Sequence, residues 1–350
     1  MSAAVKPGYA RPLDLKHGLV ELRHGGGGRA MVQLIGELFA RHLGNPLLAQ
    51  GNDGTLLPPQ GGRLVVSTDS HVVSPLFFPG GDIGCLSVHG TVNDVAMMGA
   101  SPSYLTAGFV LEEGFPLADL ARIVQSMAEA ARQAGVALVA GDTKVVEQGK
   151  GDGVFITTTG IGYLPDGLQL GGDQARPGDL VVLSGTLGDH GVAIMSQREN
   201  LAFDAPIRSD TAPLNGLTAA MLASGARLRV MRDPTRGGLA ATMNEIAHQS
   251  GVGIHLQEAA IPVRPEVEAA CELLGLDPLN IANEGKLIAI CHPEDGERLL
   301  EAMRTHPLGQ AAALIGQVVE DPNGFVQMKT RFGGRRMVDW LSGEQLPRIC

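Results

Sequence analysis

Hydrophobic positions along the chain recur in two alternating periods. From Leu117 to Ala134 the apolar residues Leu120, Ile123, Val124, Met127 and Ala131 fall at helical spacing and Gly135 follows as a stop, which predicts an amphipathic helix. Short apolar and β-branched runs predict strands instead. They are RLVVS (Arg63–Ser67), leading into TDS; VALVA (Val136–Ala140), delivering GDTK (Gly141–Lys144) at its end; and FITTTGIG (Phe155–Gly162). A turn-rich stretch, Pro165–Asp179, interrupts the pattern. Beyond it come LVVLS (Leu180–Ser184) and a helix behind DPTRGG (Asp233–Gly238) with Leu239, Met243, Ile246 and Ala247 on one face. KLIAI (Lys286–Ile290), a helix after Pro293 and the run LIGQV complete the second half. Strands alternating with helices on both sides of a turn-rich link predict an α/β (α+β) chain. The expected domains are residues 1–170 and 171–340, with a flexible tail at 341–350.

Composition narrows the class. The chain has 350 residues, enough for two domains with their own cores, and 44% of them are hydrophobic, which excludes a disordered chain. Forty-eight are glycine, about twice the usual ~7%, and no Gly-X-Y period makes them collagenous. They mark tight turns and places where backbone approaches a ligand. Lys and Arg number 27 against 37 Asp and Glu, a net charge of -10, with 4% aromatic residues. That balance argues against nucleic acid as a partner. No apolar run approaches the ~18 residues of a membrane span, and the N-terminal segment lacks the apolar region of a secretory signal. A cytoplasmic protein is expected. Cys85, Cys271 and Cys291 form no C-x-x-C pair and read as small core residues, whereas Cys350 is the last residue of the chain.

Five aspartates stand beside glycine, asparagine or a hydroxyl residue: Asp53 in NDG, Asp69 in TDS, Asp94 in NDVAMMGA, Asp142 in GDT and Asp233 in DPTRGG. Each alone is an ordinary turn or cap sequence. Five together suggest a shared site, and converging carboxylates repel unless a cation joins them. Oxygen ligands without a His or Cys cluster favour Mg²⁺, which bridges to phosphates. A nucleoside triphosphate is the natural third party. HGGGGRAM (with Gly25 and Gly26), placed before a helix containing Leu34, Ile35 and Leu38, and Thr235, Arg236, Gly237 and Gly238 of DPTRGG offer backbone N–H groups. A flexible linker is the plain alternative for the glycine run. No P-loop and no dinucleotide fingerprint is present. Lys144 and Arg236 are candidate cations for phosphate, and Glu284 in ANEGK is a candidate general base. Among the histidines only His24, His89 and His190 stand near these segments, and each reads first as a hydrogen-bonded loop residue.

Together HGGGGRAM, STDS, PLFFPGGDIG, HGTVNDVAMMGA, GFVLEEG, GDTKVVEQG, SGTLGDHG, RDPTRGGL, ANEGKL and the terminal PRIC resemble the HypE family of hydrogenase maturation proteins, within the ATP-binding PurM-like (AIR synthetase-like) superfamily. The resemblance runs from about residue 17 to Cys350. It implies a two-domain PurM-like fold, each domain a mixed β-sheet packed with helices, with N-terminal domains pairing in a homodimer and ATP in a cleft lined by both domains. It also implies ATP-dependent dehydration of an S-carbamoyl group on Cys350 to a thiocyanate, as a source of cyanide for the iron of [NiFe] hydrogenase. The implied partners are a HypF-type carbamoyltransferase and a HypC–HypD complex that accepts the cyano group. Carried over by motif, Asp69, Asp94, Gly141, Asp142 and Asp233 hold Mg²⁺-ATP, Lys144 and Glu284 serve the dehydration, and Cys350 is the modified residue. Asp53 is a looser match, because NDGTLL departs from the small apolar residues more usual after that aspartate. The alternatives are another superfamily enzyme that phosphorylates a free small molecule, or a non-catalytic carrier of the carbamoyl or cyano group.

Overall fold

The computed structural model describes residues 12–50, 52–199, 207–341, 343 and 346–350. A 3₁₀ turn (Leu22–Gly25) leads through the glycine run into helix α1 (Arg29–Leu34), and one π turn (Ile35–Phe39) carries it into α2 (Ala40–Leu43). The helix expected behind the glycines therefore forms. There follow β1 (Arg63–His71), a short hairpin of β2 (Phe77–Phe78) and β3 (Gly81–Asp82), α3 (Ile83–Met97), β4 (Ser101–Glu112), α4 (Leu117–Ala134), β5 (Ala137–Val146) and β6 (Val154–Leu164). The strands form a mixed sheet in the order β1-β6-β4-β5, with only β4 and β5 parallel.

Helix α4 has the predicted bounds. Gly135 takes the left-handed conformation at its C-cap, φ +70, as the stop requires. Helix α3 has no such pattern, because nearly every side chain in it is buried. It starts where the Asp82 carboxylate accepts hydrogen bonds from the N–H groups of Gly84 (2.8 Å) and Cys85 (3.1 Å). Gly84 lets α3 approach α4: a Cβ there would stand 2.2 Å from the Ile123 carbonyl oxygen. Two strands run further than their apolar cores suggested. TDS lies inside β1 and GDTK inside β5, not beyond their ends, because ladder pairing to β6 and β4 continues through the polar residues.

The second half comprises β7 (Leu180–Leu183), α5 (Asp189–Arg198), α6 (Asn215–Ala223), β8 (Leu228–Arg232), α7 (Gly238–Ser250), β9 (Gly253–Gln257), α8 (Pro265–Leu274), β10 (Ile288–Cys291), α9 (Gly296–Thr305), β11 (Ala313–Val319), β12 (Val326–Lys329) and β13 (Arg335–Met337). Its sheet is also mixed, in the order β13-β12-β9-β11-β7-β10-β8. Strand β7 shows why it reads as continuously apolar: Val181 and Leu183 pack with α7 on one face, and Val182 packs with α6 and α9 on the other. The strand expected from Lys286 begins only at Ile288, after two residues given over to hydrogen bonds with neighbouring loops.

The halves share core rather than touching at a polar seam. Side chains of the first sheet, α3 and α4 form one cluster with Val192, Ala193 and Ile194 of α5, Val267 and Ala270 of α8, and Leu346 and Ile349 near the chain's end. Ala96 and Met97 of α3 join the core of the second sheet. Cys271 and Cys291 are buried as expected and Cys85 is half-buried; none of the four cysteines forms a disulfide.

Candidate active site

Four carboxylates from four elements meet between α3 and the loops of the second half. Asp69 lies on β1, Asp94 on α3, Asp233 in the loop from β8 to α7, and Glu284 in the loop before β10. Ser67 Oγ donates to Asp94 Oδ2 at 2.7 Å, and the Asp69 carboxyl stands close enough to act on the Asp94 charge. Burial, seconded by the Asp69 charge, raises Asp94 to about 6. Burial and then the Asp94 charge raise Asp233 to about 7. Burial pushes Glu284 well above the usual carboxylate range, with Asp233 and Asp210 adding to it. Among the described residues, Asp233 Oδ2 and Glu284 Oε1 are buried without a hydrogen-bond partner. Leaving such atoms unpaired costs about 1–3 kcal/mol each, so the cluster favours a proton, a cation or a hydrogen-bond donor there.

Glu284 is held from both sides. Asp210 Oδ1 accepts from the Glu284 N–H (3.1 Å) and Asp210 Oδ2 from Lys286 Nζ (2.9 Å). Burial acts to raise Asp210 and is the largest single influence, but Lys286, His190 and the hydrogen bonds from Lys286 and the Glu284 N–H together hold that carboxyl below its ordinary value. Only glycine fits at 285, where a Cβ would stand 1.8 Å from the Asp210 carbonyl oxygen. On the other side Asn93 Nδ2 donates to the carbonyls of Glu284 (3.2 Å) and Ala212 (3.1 Å), and Asn93 Oδ1 accepts from Leu214 N–H (2.7 Å). Sequence reasoning missed Asn93, Asp210 and Lys286. The first stands beside Asp94 and the last two residues after Glu284, inside motifs already singled out; Asp210 carried no signal.

The remaining candidates fall elsewhere. Asp142 pairs with Lys144 (2.6 Å), both side chains more than half exposed, and that ammonium lowers the Asp142 carboxyl. Register explains the separation. Asp69, Thr158, Ala107 and Gly141 lie in one row across β1, β6, β4 and β5, so the next residue, Asp142, points to the opposite face of the sheet from Asp69. Gly25 sits against the same end of β5, where a Cβ would be 2.7 Å from Val145 N, while Gly26 is exposed. Asp53 is exposed in the loop before β1. The structure thus brings together Asp69, Asp94, Asp233 and Glu284 and leaves Asp53 and Asp142 apart from them. DPTRGG opens α7 as expected, with Gly237 at φ +76 and Gly238 at φ +61. A Cβ on Gly238 would stand 2.5 Å from the Leu279 carbonyl oxygen. Thr235 is half-buried and Arg236 exposed. The three watched histidines lie on helical elements, not loops: His24 in the first 3₁₀ turn, His89 on α3 and His190 in the first turn of α5.

The end of the chain reaches this region. The Val72 N–H, just past β1, donates to a main-chain oxygen of Cys350 (3.1 Å), and Ser74 N–H donates to the Arg348 carbonyl (3.1 Å). His190 Nε2–H donates to the Ile349 carbonyl (2.8 Å) while its Nδ1 accepts from Ser209 Oγ (2.8 Å). Ile349 is buried and Cys350 half-buried. Where the sequence suggested a flexible tail, residues 346–350 are docked.

Comparison with known proteins fits this arrangement. The families "AIR synthase related protein, N-terminal domain" and "AIR synthase related protein, C-terminal domain" match residues 51–164 and 176–329. The carbamoyl dehydratase HypE of Cupriavidus necator is 66% identical over the whole of both chains. The chain belongs to the HypE family. A crystal structure of a HypE in complex with ATP superposes with a TM-score of 0.91 at 51% identity, over 94% of this chain and 99% of that one. A HypE in complex with HypF gives 0.78 at 50% identity, over 88% and 99%. Within the HypE family framework, the mixed sheets described above are those of the PurM-like fold. No helix among the described residues is long and apolar enough to cross a membrane.

Proposed function

We propose that this chain is an ATP-dependent carbamoyl dehydratase that converts S-carbamoyl-Cys350 to S-cyano-Cys350 for hydrogenase maturation. The observation that carries the reading is that this chain, 66% identical over its whole length to a carbamoyl dehydratase HypE, has Cys350 tied to Val72, just past the strand that bears Asp69. An amide oxygen is a poor leaving group. Transfer of the γ-phosphoryl group of ATP to the carbamoyl oxygen releases ADP and makes it a good one. Loss of both N–H protons with cleavage of the C–O bond then yields S–C≡N and phosphate. Glu284, with its raised proton affinity, is suited to take one of those protons; Lys144, which lies apart from the cluster, is assigned to phosphate charge by its motif alone.

The cluster suits a divalent cation, Mg²⁺ being the fitting one: Asp69, Asp94 and Asp233 are hard oxygen donors, and one oxygen of Asp233 lacks a partner. When bound, such an ion would offset the charge of the transferring phosphoryl group. By motif alone, Asp142, Gly141, Gly25, Gly26 and the DPTRGG loop are assigned to nucleotide binding, and Asp53 more loosely, although Asp142 faces away from Asp69 and Asp53 lies apart from the cluster. A HypF-type carbamoyltransferase is the proposed donor of the carbamoyl group, a HypC–HypD complex the acceptor of the cyano group, and a homodimer paired through the first domain the working unit in the cytoplasm.

The test is intact mass. Protein treated with the transferase, carbamoyl phosphate and Mg-ATP should gain a carbamoyl group and then lose one water, and Cys350→Ala should do neither. A carbamoylated wild type whose mass stays constant with ATP would overturn the dehydratase reading.

A further inference from the structure

Arg198, the last residue of α5, spends its donors on main-chain carbonyls. Its Nε donates to the Ser74 carbonyl, one terminal nitrogen to Pro347 (2.6 Å) and the other to Arg348. One planar guanidinium thus joins the segment after β1 to two consecutive carbonyls of the chain's end. The same segment supplies the Val72 and Ser74 N–H groups that hold Cys350 and Arg348. Arg348 has a φ of +55, the one non-glycine residue with positive φ among those described, and it pairs with Asp152 (2.8 Å). A non-glycine residue in the left-handed region costs of order 1–3 kcal/mol and persists where its surroundings hold it. The turn at 346–349 is therefore imposed on the chain, and it is what buries Ile349 and directs Cys350 toward Val72. The position of Arg198 at a helix C-terminus favours its positive charge. A lysine could reach one carbonyl but could not fork across three.

We infer that Arg198 is the positioning residue that fixes where the terminal cysteine stands during the dehydration step. This rests on the dehydratase reading. Arg198 need not touch the reacting atoms: it sets the register of the last residues, and an intramolecular reaction depends steeply on that placement.

The experiment is a time course of intact mass on full-length wild type, Arg198→Ala and Arg198→Lys with transferase, carbamoyl phosphate and Mg-ATP, paired with deuterium uptake of the C-terminal peptide. In Arg198→Ala the carbamoylated species should still form, and should then lose water at least about tenfold more slowly than the carbamoylated wild type, an effect of the size expected for misplacement. Half-saturating ATP should stay unchanged and exchange at 346–350 should accelerate. Arg198→Lys should fall between, and it serves alone if the alanine variant does not fold. Wild-type rates of water loss, or unchanged exchange of the terminal peptide, overturn the inference. If wild type itself never loses water, the dehydratase reading fails, and the exchange measurement still decides whether Arg198 holds the tail.

Discussion

A main-chain oxygen of Cys350 accepts a hydrogen bond from the main-chain N–H of Val72, at 3.1 Å. Residue 72 follows β1, and β1 carries Asp69 three positions earlier, so one extended segment connects the terminal cysteine to the carboxylate cluster. Because the bond is between backbone groups, it is indifferent to the side chains at either position. What makes it form is the turn at 346–349 and the burial of Ile349.

Glu284→Gln separates base chemistry from fold. The carboxyl is buried, its proton affinity is raised by burial and by Asp233, and one oxygen lacks a partner, so a neutral amide of the same shape replaces it at little cost. ATP-dependent water loss should fall by about 10²–10⁴, the range for a lost general base, while the melting temperature stays level or rises. Retained activity would remove Glu284 from the mechanism.

Asp94→Asn tests the charge of the cluster. In wild type Asp94 binds a proton more tightly folded than unfolded, so its contribution to stability is full below the unfolded value near 3.8 and is lost as pH rises through about 6. The asparagine oxygen can still accept from Ser67 Oγ but does not ionise. Without ligands, the variant's melting temperature relative to wild type should therefore rise between pH 5 and pH 8. Stabilisation by Mg-ATP should weaken in the same variant. A difference independent of pH would mean that Asp94 does not titrate in this window.

Lys144→Met removes an exposed ion pair with Asp142. Such pairs contribute about 0–1 kcal/mol, so thermal stability should hardly change. A fall in ATP-dependent water loss of tenfold or more then reports a role toward phosphate, and an unchanged rate excludes it.

Gly84→Ala tests the packing of α3 on α4. The added Cβ would stand 2.2 Å from a backbone oxygen, which cannot turn aside as a flexible side chain would. Chemical denaturation should show a loss of about 1–3 kcal/mol, the range for overpacking. Asp94 and Asn93, on the same helix, should then hold the site less well, and turnover should fall with stability.

Local pattern made much of the fold legible. Leu117–Ala134 could be bounded to the residue because one face is buried and one wet, and DPTRGG announced α7 through glycines that alone accept its two positive φ angles. Helix α3 escaped because burial on all sides erases periodicity, although Asp82 at its start was a readable cap. The aspartate motifs were visible, and so was the terminal cysteine, since identity and chain position are properties of sequence.

Which aspartates meet was not visible. Asp69 and Asp142 both end up on strands of one sheet, and a single step of pleat sends them to opposite faces, a parity fixed by strand register across β1, β6, β4 and β5. The support of Glu284 by Asn93 and Asp210, and the hold of Arg198 on the chain's end, join residues separated by as much as 191 positions. By itself the sequence determined the elements, the family and the chemistry on offer, because those depend on residue type and local spacing. Only the tertiary structure decided which charges share a buried site and where the cysteine comes to rest, because burial, register and long-range hydrogen bonds exist only after the chain has packed.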